Sequence, residues 1–157
     1  MKIYIKFLTC LSVVLLSMTN VTRHPFFKQY PAYLFKGRKA KPMLKSNPVG
    51  EMFGTIITHT YYSKSDIIGW RESTGLNFAG HYCFAYWGCG SSCQAAAIVD
   101  IKTGLIYEAP TASGGYQFKS TSRLVVINPG ESTSDCAMCA TEYWVWNEPG
   151  KKFVQLR

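Results

Sequence analysis

Sulfur is the first chemistry this sequence offers. Six cysteines occur in 157 residues. Four of them form two close pairs: Cys89/Cys93 within Trp87-Gly88-Cys89-Gly90-Ser91-Ser92-Cys93-Gln94, and Cys136/Cys139 within Cys136-Ala137-Met138-Cys139. Cys83 stands two residues after His81. Neighbouring thiols close a staple, exchange electrons with another dithiol or hold a metal, and a thiol beside an imidazole can serve as a nucleophile. The grouping to test for binding or catalysis is therefore His81, Cys83, Trp87 and Cys89.

Each active reading meets an obstacle. A papain-type nucleophile needs a histidine far downstream, yet His24, His59 and His81 all precede Cys89. Thiol exchange at Cys136-x-x-Cys139 needs a lowered thiol pKa, and the flanking Asp135 raises it. A metal site at His81, Cys83 and the Cys89/Cys93 pair lacks the paired knuckles of zinc ribbons, and haem attachment would need histidine rather than Ala140 after Cys139. There is no Gly-x-Ser-x-Gly elbow, phosphate loop or His-Glu-x-x-His. No catalytic residue, metal or cofactor is assigned. Disulfides at Cys89, Cys93, Cys136 and Cys139 are the expected fate. A local five-residue ring contributes roughly 2 kcal/mol and a cross-link between the pairs roughly 4, whereas proximity favours the local rings. Cys83 is left as a buried, inert thiol.

The surrounding chain sets the compartment. Lys2 and Lys6 precede a 12-residue apolar run at 7–18, which matches a secretory signal peptide and is too short for a transmembrane span. Processing is expected near Thr19, so residues 1–19 are a signal and the mature chain is periplasmic or secreted. Of the 17 Lys+Arg against 9 Asp+Glu, seven basic residues and no acid lie in residues 20–47. The rest, residues 48–157, has eight basic and nine acidic residues, a net of −1. Charge confined to a proline-bearing arm argues against a nucleic-acid-binding face. Residues 20–47 read as a solvated basic arm or linker, or as a tether to anionic envelope surfaces.

Residues 48–157 read as one mainly β domain. β-branched and aromatic runs at 53–62, 78–87, 95–100, 105–108, 123–127, 141–146 and 153–156 alternate with turn signals. The turns include a Gly104 hairpin, Asn128-Pro129-Gly130, and Asn147-Glu148-Pro149-Gly150 with Pro-Gly at the centre of a type II turn. At most one short helix is expected, at 63–73. Such spacing predicts an antiparallel meander forming a small barrel or sandwich. In the 78–87 strand Phe78, Tyr82, Phe84 and Tyr86 share one face and Ala79, His81, Cys83, Ala85 and Trp87 the other. Both faces are apolar, which predicts a central, doubly covered strand. Trp144 and Trp146 share a face opposite Tyr143 and Val145.

Asn77-Phe78-Ala79-Gly80-His81-Tyr82, Trp87-Gly88-Cys89-Gly90, Cys93-Gln94, Asp100 and Lys102-Thr103-Gly104 together resemble a family of small exported bacterial proteins. These carry an N-F-A-G-H-Y…W-G-C-G-x-x-C-Q signature, and the match spans about residues 50–127. The resemblance implies an envelope or secreted location and no particular activity. The functional expectation is a binding protein, of inhibitor or immunity type, whose partner is a protein or envelope polymer. The alternative is an envelope-polymer hydrolase or thiol-dependent oxidoreductase using His81, Cys83 and Cys89.

Overall fold

The computed structural model describes residues 24–62, 75–130 and 139–157. The expected signal peptide, the expected short helix at 63–73 and Cys136 lie outside these residues. Among the described residues the fold is mainly β, with two antiparallel sheets and one α-helix, α1 (Pro48–Tyr62). β1 (Tyr82–Gly90), β2 (Cys93–Asp100) and β3 (Ile106–Ala112) form the first sheet in chain order. β4 (Tyr116–Phe118), β5 (Leu124–Ile127), β6 (Glu142–Asn147) and β7 (Lys152–Gln155) form the second, also in chain order. The meander is thus broken once, between β3 and β4, and folds into a sandwich rather than a closed barrel.

Three packed layers follow from the alternation. Between the sheets lie Phe78, Tyr82, Phe84, Tyr86, Ile98, Val125 and Trp146, with Trp144 at the margin. The opposite face of the first sheet presents Cys83, Ala85, Trp87, Ala97 and Val99 to Ile57 and Tyr61 of α1. The outer face of the second sheet packs Leu124, Val126 and Val145 with Tyr143 against Phe27 and Tyr30. The expected division of Trp144 and Trp146 from Tyr143 and Val145 is what the packing uses.

α1 occupies the stretch expected as the first strand. Its β-branched content is outweighed by its start and its apolar spacing. Asn47 accepts the Val49 amide through Oδ1 at 2.8 Å, and Pro48 fills the first helical position, where its missing N–H costs nothing. Val49, Phe53, Ile56, Ile57 and Tyr61 then recur at helical intervals and face the sheet. Phe53 leaves helical geometry (φ −115°, ψ 21°) and stacks on Trp87 at 4.4 Å between centroids.

β1 is covered on both faces as expected, but it is an edge strand rather than a central one. Its free edge is satisfied by a side chain. Asn77 Oδ1 accepts the Phe84 amide at 2.6 Å, and its Nδ2 donates to the Phe84 carbonyl at 3.0 Å. One amide group thus replaces a ladder partner in a buried position.

From Phe27 onward the basic arm is laid along the body. The amides of Ala32, Phe35, Ala40 and Met43 donate to the carbonyls of Thr121, Gly80, Ile101 and Gly104, each at 2.8 Å. Gly80 (φ 81°) and Gly104 (φ 83°) admit this approach. A Cβ at either position would strike the carbonyl of Tyr33 or of Lys41.

Candidate functional site

The signature residues fall at the two ends of the β1–β2 pair, residues 77–82 with Asp100 and the Gly104 turn at one and residues 87–94 at the other. Ala79 (φ 43°) and Gly80 turn the chain so that Phe78 and Tyr82 pair through both backbone bonds, at 3.0 and 2.9 Å. That turn breaks the period-2 pattern before β1 begins. His81 consequently does not join Cys83 on the helix-facing side, as the alternation had implied. It meets a polar cluster built from the start of β1, the end of β2 and the β6–β7 turn.

At the centre of the cluster is Glu148. Its carboxylate accepts the Tyr82 hydroxyl at 2.8 Å and the Trp146 indole N–H at 2.8 Å, and it pairs with the Lys151 ammonium. Lys151 also donates to the Tyr82 hydroxyl at 2.9 Å and reaches Asp100 Oδ2 at 3.9 Å. Its charge lies 5.7 and 5.9 Å from the ring centroids of Tyr82 and Tyr107. Asp100 is fixed by the Lys102 amide at 2.8 Å. His81 Nε2 stands 3.3 Å from Glu148 and 3.9 Å from Asp100 without making a hydrogen bond.

The turn that places these groups differs from the type II turn expected. Gly150 does not take the left-handed conformation, which falls on Lys151 (φ 47°). A non-glycine residue there costs about 1 kcal/mol, and the position aims the ammonium into the cluster.

The electrostatics favour holding over reacting. Burial would raise the Glu148 pKa, but hydrogen bonds from Lys151, Tyr82 and Trp146 and the nearby His81 outweigh it, holding the carboxyl at about 2. Burial, and then the Glu148 contact, push the Tyr82 phenol well above its ordinary range. Burial lowers the His81 pKa although Glu148 and Asp100 oppose it. The result is an ionised carboxylate, a phenol that stays protonated and a neutral imidazole 10% exposed. The phenol is a poor nucleophile, and the set ties one sheet to the other.

The remaining sequence candidates are separated. Cys83 is fully buried beneath α1, with its thiol pushed up to about 12, chiefly by burial. Trp87 is buried against Phe53. Cys89 is bonded to Cys93, closing the local ring expected. Cys139 is disulfide-bonded as well. His81, Cys83 and Cys89 thus lie in three different settings. Among the described residues no group of three or more His, Cys, Asp and Glu side chains is arranged to hold a metal, and no helix is long and apolar enough to cross a membrane.

The Cys89–Cys93 ring closes a projecting hairpin. β1 is buried from Tyr82 to Trp87 and exposed from Gly88 onward, and residues 88–92 are all exposed. The register shifts between Gly88 and Gly90, and a Cβ at either glycine would meet open space. At the base of this tip two polar atoms, Trp87 Nε1 and Gln94 Oε1, are buried without a hydrogen-bond partner. A groove of about 770 Å³ along α1, lined by Leu44, Glu51, Met52, Thr55 and His59 among others, includes none of the sequence candidates.

Sequence reasoning named Glu148 only as a turn residue, gave Asp100 no role in a site and did not single out Lys151. Nothing local marks them, because the cluster exists only once the two sheets pack. Compared with family models, curated proteins and solved structures, the chain matches none.

Proposed function

We propose that this chain is an exported bacterial binding protein, of inhibitor or immunity type, that presents the hairpin tip at residues 88–93 to a protein or envelope-polymer partner. The observation that carries this reading is the form of the tip: five consecutive exposed, small, uncharged residues held by a disulfide at their base. A projection pinned in one conformation loses little entropy on docking. Lys2 and Lys6 before the apolar run, and the signature at residues 77–94, support export.

What weighs against the thiol-dependent nucleophile alternative is that the Cys89 sulfur is bonded to Cys93 and Cys83 is sealed in the core. A photo-crosslinking residue at Ser91, expressed in the exporting cell, is expected to give discrete adducts that the same probe at Gln155 on β7 does not. Equal labelling from both positions, or none from Ser91, overturns the reading.

A further inference from the structure

We infer that residues 33–45, together with Lys102 and Leu105 of the β2–β3 turn, form a docking surface for anionic membrane lipid. This goes beyond the tip reading and does not depend on it. Lys36, Arg38, Lys39, Lys41, Lys45 and Lys102 are all exposed. None of them is in an ion pair among the described residues, whose ion pairs gather at His81 and Lys151. Residues 20–47 contain no acid. Among the described residues, Glu51 in the first turn of α1 is a nearby exposed carboxylate, while Asp100 is buried.

The backbone that carries the cations is anchored to the body. The Phe35, Ala40 and Met43 amides are tied to the body, and the Tyr61 hydroxyl donates to the Ala40 carbonyl at 2.6 Å. Lys102 from the β2–β3 turn reaches the Phe35 ring at 5.6 Å, which joins the arm and the turn into one surface. Apolar side chains are interleaved with the charges. Tyr33 is 94% exposed, Met43 49%, Leu34 48% and Leu105 37%. A soluble polyanion would need only the charges. Cations beside unburied tyrosine, leucine and methionine match a bilayer surface, where headgroup phosphates meet the ammonium groups and the apolar groups enter the acyl boundary.

The test uses protein recovered from the exporting host and vesicles of phosphatidylcholine alone or mixed with phosphatidylglycerol. The wild type is expected to prefer the anionic vesicles in a salt-dependent way. K36Q/R38Q/K41Q is expected to reduce that preference by about a hundredfold. Y33S/L34S is expected to weaken vesicle binding about fivefold while leaving retention on soluble dextran sulfate unchanged. All five positions are on the surface, so folding is not at stake. Equal partition of wild type and K36Q/R38Q/K41Q overturns the proposal. Vesicle binding unaltered in Y33S/L34S also overturns it, in favour of a polyanion site. Ser91→Arg, at the tip, is expected to leave vesicle binding as it was, so the two readings fail separately.

Discussion

The Tyr82 hydroxyl and the Glu148 carboxylate meet at 2.8 Å, one from the first strand of the first sheet and the other from the last turn of the second. Through that contact Glu148 also gathers Trp146 and Lys151, so one side chain satisfies an indole, a phenol and an ammonium together. Glu148→Ala leaves the Trp146 N–H and the Tyr82 hydroxyl in a mostly buried setting with no acceptor. A loss of about 2–4 kcal/mol in urea unfolding is expected. Glu148→Gln keeps an acceptor and is expected to lose less. Equal losses in the two variants would show that side-chain bulk, not the acceptor, matters.

The same cluster fixes the direction of pH dependence. Burial holds the His81 pKa below its ordinary 6.5 despite Glu148 and Asp100. The unfolded chain therefore takes up a proton first, and this contribution to stability is present above about 6.5 and lost as pH falls. Glu148, lowered from 4.5 to about 2, adds a second contribution, present above about 4.5 and lost toward 2. Urea midpoints are expected to fall in two steps on acidification, and His81→Gln should remove the upper step alone. A profile flat from about pH 7.5 to 5.5 would contradict the first assignment.

Asn77 offers a sharper test of the edge of β1. Asn77→Ala leaves both backbone groups of Phe84 unpaired within the core, so a loss of about 2–4 kcal/mol is expected. In Asn77→Asp the carboxylate still accepts the amide but faces the carbonyl with no proton to donate. Its stability is expected to recover, relative to Asn77→Ala, when the carboxyl is protonated at low pH. Thermal unfolding of both variants across pH reads the difference.

How far the sequence could be read depended on how local each signal was. β1 to β3 and β5 to β7 follow from alternation between clear turns, and the hairpin at Gly104 from the need for a left-handed residue. α1 was hidden because Thr55, Ile56, Ile57 and Thr58 have strand propensity. Asn47-Pro48 and the spacing of Val49, Phe53, Ile57 and Tyr61 were the overriding signal. The course of the arm along the body was not legible, because its charged side chains stay in solvent while its backbone does the docking. Of the candidate site, the staple was legible from two close cysteines. The Glu148 cluster was not, since its members converge only through packing of the two sheets.

The cysteines provide the last test. Cys83 is sealed beneath α1 with its thiol at about 12, whereas Cys89 is exposed and bonded to Cys93. Alkylation of the native protein without reductant is expected to add nothing at Cys83. With reductant, peptide mapping should find label at Cys89 and Cys93, and at Cys139, while Cys83 remains protected until the chain is unfolded. Opening this short ring removes a constraint of about 2 kcal/mol at most from the unfolded chain. It lies beyond the buried part of β1, so the core should survive and tip-dependent crosslinking from Ser91 should be lost. Labelling of Cys83 in the native state would mean that the layer between α1 and the first sheet opens readily. Persistence of the Ser91 adducts after reduction would mean that the pinned conformation is not what a partner recognises.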